Sequence, residues 1–126
     1  MLQTNFERVL EFHEVFGALI GDFDNPQISD NKDLRLSLIR EEMQELEEAI
    51  AANDIVETAD ALGDLLYVIY GTLIDSGIDA DLLVGEIHAS NMSKLGKDGE
   101  PILRYDGKVL KGPNYFKPNI KGVLYG

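Results

Sequence analysis

Residues 54–77 read DIVETADALGDLLYVIYGTLIDSG. Asp54 is placed to cap a helix, Ser76-Gly77 to end one, and no proline interrupts the interval. From Ala61 to Ile74 the only charge is Asp64. A carboxylate in such an apolar run is costly to bury unless a cation or hydrogen-bond donors offset its desolvation. Asp60 lies one turn earlier and Glu57 two turns earlier, within about 40° of the same face at ~100° per residue. Long apolar-rich helical periods of this kind specify an all-α chain.

The segment before it, from about Lys32 to Ala52, keeps the same period. Leu36, Ile39, Met43, Leu46 and Ile50 form an apolar stripe expected to be core. A second stripe holds Leu38, Glu42, Glu45 and Ala49, so Glu42 and Glu45 share a face one turn apart, while Glu41 and Glu48 project to the wetter side. Further out, Thr4 or Asn5 caps a first helix expected to reach about Ile20, with Phe6, Val9, Leu10, His13 and Phe16 near one face. GDFDNPQISDN, residues 21–31, is turn composition. Asp79 caps a fourth helix from about Ala80 to Lys94, closed by Gly96. Beyond Gly96 a Gly or Pro recurs every few residues. Two Asp-Gly turns occur there, and Ile102–Arg104 with Lys108–Leu110 forms a candidate hairpin. The expected architecture is a four-to-five-helix bundle over about residues 4–95 and a loop-rich C-terminal arm over 96–126. Together they form one domain of residues 1–126.

Charge sharpens the reading. The net charge of −12 divides unevenly: residues 1–89 hold 4 Lys/Arg against 20 Asp/Glu, whereas residues 90–126 hold 7 against 3. An acidic body argues against nucleic acid as a partner. A polyphosphate remains compatible with it when metal ions sit between phosphate and carboxylates. There is no cysteine, which removes disulfides, thiolate metal sites and thiol nucleophiles. The N-terminus MLQTNFERVLEF lacks the apolar run of a signal peptide, and no segment reads as a membrane span, so a cytoplasmic location is expected.

Two facing helices carrying Glu42, Glu45, Asp60 and Asp64 gather several carboxylates with no Lys or Arg between Glu41 and Ala89. Glu-rich helices are usually only solvated faces. Here Asp64 in its apolar run and the missing local cations favour a bound cation. Oxygen ligands without cysteine select a hard ion, Mg²⁺, with Mn²⁺ as the alternative.

The pattern Glu41-Glu42-Met43-Gln44-Glu45, followed by Asp-Leu-Leu-Tyr in an apolar helix, resembles the all-α NTP pyrophosphohydrolases. That superfamily includes the MazG-like proteins, dimeric dUTPases, dCTP pyrophosphatases and phosphoribosyl-ATP pyrophosphohydrolases. The resemblance covers about Leu34 to Lys94, and LGDLLYVIYG with HASNMSK is most similar to MazG-like and dUTPase-like members. It implies a MazG-like bundle and metal ligation by Glu42, Glu45 and Asp64. The family's ExxD motif would put a further acid at position 61, which is Ala61 here. Asp60 is expected to supply that ligand, with Glu57 as substitute.

The phosphate side is expected near the end of the fourth helix and in the arm. Asn91 can read a sugar hydroxyl or base edge; Lys94 and Lys111 offer point charges for phosphate. A lysine in a last turn is also ordinary helix termination, and His88 is expected to be merely half-buried. Tyr67 and Tyr70 would lie near the metal face, as core or as a base-stacking surface. GKVLKG is not a P-loop, because it lacks GxxxxGK[ST] ahead of a helix. The expected reaction is Mg²⁺-dependent hydrolysis of a nucleoside triphosphate to monophosphate and pyrophosphate, with Glu41 as the residue that activates water. Phosphoribosyl-ATP hydrolysis and a non-catalytic cation-binding helical module are the rivals. A homodimer or dimer of dimers is expected to cover the remaining apolar stripes.

Overall fold

Helix α1 (Asn5–Phe16) opens a computed structural model that describes residues 2–126. Its start is a reciprocal cap: Thr4 Oγ1 accepts from the Glu7 amide at 3.1 Å and Glu7 Oε1 accepts from the Thr4 amide at 2.8 Å. The helix stops at Phe16, short of the expected Ile20, because Gly17 adopts the left-handed conformation at φ 71°. Apolar residues at 18–20 continue the pattern without continuing the helix.

Helices α2 (Lys32–Ala51) and α3 (Ile55–Asp75) pack along each other, and α1 packs on α3. Only residues 52–54 join α2 to α3, which makes them an antiparallel hairpin. Asn53 takes φ 53°, which asparagine tolerates better than most residues. Asp54 then caps α3, accepting from the Glu57 amide at 3.1 Å. At the far end of α3, the segment after α1 satisfies the last carbonyls: Gly21 N–H donates to Ile74 O at 2.8 Å and Gln27 N–H to Ser76 O at 3.0 Å. Two glycines allow this crossing, since a Cβ on Gly21 would lie 2.5 Å from the Gly77 nitrogen and one on Gly77 would lie 2.3 Å from Asp22 O.

The core holds Phe6, Val9, Ile74 and Ala80, with Leu10, Tyr70 and Leu73 against it. Beside it lies a polar knot that the sequence reading did not foresee. Asp75, buried, sits 3.4 Å from His13 Nδ1 and 3.8 Å from Arg35 Nε, and accepts from Ser29 Oγ at 3.4 Å. Arg35 also donates to Thr72 Oγ1 at 3.2 Å and to Val68 O at 2.8 Å.

Of the α2 stripe expected to be core, Ile39 and Leu46 are half-buried, but the other three residues are not core within the chain. Leu36, Met43 and Ile50 are 47%, 40% and 60% exposed. The α3 hairpin partner takes the other stripe instead, burying Ala49 and half-burying Leu38 and Glu42. Leu62, Leu66 and Ile69 of α3 are likewise exposed.

The chain divides into two compact units, residues 1–80 and 81–126. The second holds nearly all of α4 (Ala80–Met92), the arm, and a short α5 (Ile120–Tyr125). The candidate hairpin segments pair: Leu103 bridges Val109, with Arg104 N–H to Lys108 O and Leu110 N–H to Ile102 O, both 2.8 Å. The arm folds back on α4, where Ser90 Oγ donates to Phe116 O at 2.8 Å and Asn119 N–H donates to Glu86 Oε1 at 2.8 Å. Helix α5 was not expected; Gly122 inside it and Pro118 before it read as loop. The Asn119 side chain caps it, accepting from Gly122 N–H at 3.0 Å. Among the described residues no single helix is long and apolar enough to cross a membrane.

Candidate metal centre

Antiparallel packing brings the Glu42–Glu45 face of α2 onto the Asp64 face of α3. One carboxylate oxygen from each of Glu42, Glu45 and Asp64 lies within 4.8 Å of the others. Glu45 and Asp64 remain exposed, while Glu42 is half-buried and its Oε2 is enclosed with no hydrogen-bond partner among the described residues. Burial, reinforced by the Glu45 and Asp64 charges, pushes the Glu42 carboxyl above its usual range. The surroundings of Glu42 therefore oppose its charge at the point where three carboxylates converge. A hard divalent cation would remove that conflict and occupy the lone acceptor, so these residues fit Mg²⁺.

Asp60 is not in this trio. With Glu48, Asp54 and Glu57 it lines an adjoining cleft of about 510 Å³ that shares Glu45 with the trio. Ala61, the position where the superfamily motif carries an acid, is 4% exposed and presents only a methyl group. Glu41 is exposed and outside the trio, and its charge adds to the pressure on Glu42.

Asn91, Lys94 and Lys111 belong to the second unit. Asn91 and Lys111 are exposed and Lys94 is half-buried. The backbones next to the two lysines are tied, Gly112 N–H donating to Lys94 O at 2.8 Å. His88 is exposed rather than half-buried, and the buried histidine is His13. Tyr67 is partly exposed, edge-on to Phe12 with centroids 5.7 Å apart, whereas Tyr70 packs against the core. Both line a small pocket of about 170 Å³ with Asn5, Arg8 and Gly63.

An all-α hairpin with acidic residues converging across it is the architecture of the all-α NTP pyrophosphohydrolase superfamily. Within it, the chain belongs to the phosphoribosyl-ATP pyrophosphohydrolase family, whose model matches residues 9–91. A search of curated proteins finds an uncharacterized protein of Acanthamoeba polyphaga mimivirus, 36% identical over 124 residues. The match takes in 95% of this chain but 46% of that protein, so the chain spans about half the length of the curated relative. Among solved structures, a candidate NTP pyrophosphohydrolase from Exiguobacterium sp. 255-15 superposes with a TM-score of 0.51 at 23% identity. That superposition covers 95% of this chain and 92% of the other, and it bears on the fold alone.

Proposed function

We propose that this protein hydrolyses a nucleoside triphosphate to the monophosphate and pyrophosphate, with Mg²⁺ held by Glu42, Glu45 and Asp64, and Asp60 joining them. The observation that carries the reading is the trio itself, three oxygens within 4.8 Å with the Glu42 acceptor unused. These carboxylates would hold Mg²⁺, which would supply neutralisation of phosphate charge and activation of water. The chain's own contribution is to fix the carboxylates on two rigid helices, so that little reorganisation is needed on binding. Glu41, beside the trio on α2 and exposed to water, is proposed to orient the attacking water and accept its proton. Asn91, Lys94 and Lys111 are proposed to bind the substrate, the lysines through phosphate oxygens. In this reading the protein acts in the cytoplasm as a homodimer or dimer of dimers.

A second reading is favoured by the family match over residues 9–91: that the triphosphate is phosphoribosyl-ATP. One assay tests both. Pyrophosphate release is measured on all NTPs, all dNTPs and phosphoribosyl-ATP, with Mg²⁺ and with chelator. Activity confined to phosphoribosyl-ATP selects the second reading. No pyrophosphate release from any of them with Mg²⁺ would sink both and leave a non-catalytic module.

A further inference from the structure

Lys111 reaches solvent, yet its side chain is not loose. Its ammonium lies over the Tyr115 ring, 4.8 Å from the centroid, within the range where the ring face attracts a cation. The backbone that carries the ring is itself held in place. Tyr115 N–H donates to Gly112 O at 3.2 Å, closing the chain between the two residues into a turn. The next residue, Phe116, is clamped at both backbone groups. Its N–H donates to Ser93 Oγ at 3.1 Å and its carbonyl accepts from Ser90 Oγ at 2.8 Å. Ser90 is buried, and Ser93 Oγ donates to Ser90 O at 2.6 Å. At the other end, Gly112 N–H holds Lys94 O. Residues 112–116 are thus pinned at one end to Lys94, just beyond α4, and at the other to Ser90 and Ser93 at the end of α4.

We infer that Tyr115 is a positioning residue whose ring holds the Lys111 ammonium ready for a phosphate oxygen. A carboxylate partner would also order a lysine, but it would cancel the charge that phosphate needs. A π face orients the ammonium while leaving its charge uncancelled. Ordering a flexible side chain beforehand lowers the entropic cost of binding. The inference rests on the proposed phosphate role of Lys111, and its test separates the two.

The full chain is titrated with inorganic pyrophosphate in Mg²⁺, and KM and kcat are measured on the triphosphate that the substrate panel selects. Lys111→Ala is expected to weaken pyrophosphate binding and raise KM by roughly tenfold, with kcat nearly unchanged. Tyr115→Leu is expected to do the same by about two- to fivefold, the effect of an exposed cation–π contact. Tyr115→Phe, which keeps the ring, restores both constants. The double variant is no weaker than Lys111→Ala alone, because Tyr115 acts only through Lys111. Tyr115→Leu matching wild type, or adding its full effect to Lys111→Ala, overturns the positioning inference while the phosphate reading stands. An unchanged KM in Lys111→Ala removes the phosphate role of Lys111, and the inference with it. Proton NMR of the wild type decides the pairing if Tyr115→Leu misfolds. Lys111 ε-methylene signals shifted upfield by the ring support it, and unshifted signals overturn it.

Discussion

At the scale of single residues, Glu42 meets Glu45 and Asp64 where α2 packs on α3, and their charges oppose its own. Its shared face with Glu45 was legible from a spacing of three, and Asp64 stood out as a charge in an apolar run. The unused Glu42 acceptor was not legible, because it depends on which side of α2 meets α3. Relieving the repulsion should separate function from stability. Glu45→Gln and Asp64→Asn are expected to lose most pyrophosphohydrolase activity, yet to melt about 2–4 °C higher than wild type in chelator. Thermal scans with and without Mg²⁺ check this, and a variant with full turnover at limiting Mg²⁺ would refute the ligand assignment. Asp75 was overlooked, since its partners His13, Ser29 and Arg35 come from distant parts of the sequence. Burial raises its carboxyl above the usual range, against the opposing pull of Arg35, His13 and Ser29. The fold therefore tolerates protonated Asp75 better, and this group's contribution to stability is present at low pH and lost as pH rises through its raised value. Urea unfolding from about pH 4 to about pH 7 should show wild type losing stability relative to Asp75→Asn as pH rises. A constant gap would contradict the assignment.

At the scale of elements, periodicity and caps carried most of the information. The bounds of α2 and α3 match the expected ones to within a residue, since Asn53-Asp54 and Ser76-Gly77 are strong stop and start signals. The error in α1 has a definite cause. Gly17 lies within an apolar run, and only its left-handed backbone shows that the helix has ended. Gly17→Ala should cost about 1 kcal/mol, although space for the methyl group is open. Thr4→Ala should cost a similar ~1 kcal/mol by removing the reciprocal cap at the other end of α1. Chemical denaturation measures both, and a Gly17→Ala variant as stable as wild type would show that the conformation is not what stops the helix. The hairpin at Asp106-Gly107 was legible from its dipeptide, whereas α5 was not, because six residues with an internal glycine carry too little period.

At the scale of the whole molecule, the apolar stripe of α2 is the informative failure. Heptad spacing predicts Leu36, Met43 and Ile50 as core, and the single chain leaves them exposed instead. Among the described residues they are 47%, 40% and 60% exposed, and Leu62, Leu66 and Ile69 of α3 add a further exposed series. We propose these exposed apolar rows as an association surface, since apolar surface of this kind on a small chain favours a partner. A second copy of the chain presents a matching patch under two-fold symmetry, where one stripe can pack on its own equivalent. We therefore expect light scattering at micromolar concentration to give at least twice the 14.0 kDa chain mass. Met43→Lys with Ile50→Lys should shift that mass toward the monomer. Both positions are already partly wet in the single chain, so the substitutions should leave helical circular dichroism largely intact. Loss of mass together with loss of helix would mean that the chain does not fold without its partner, as in many obligate dimers. A wild-type mass of one chain would remove the dimer. The exposed stripe would then require a different partner, in the first place the remainder of a longer protein such as the curated relative of which this chain matches 46%.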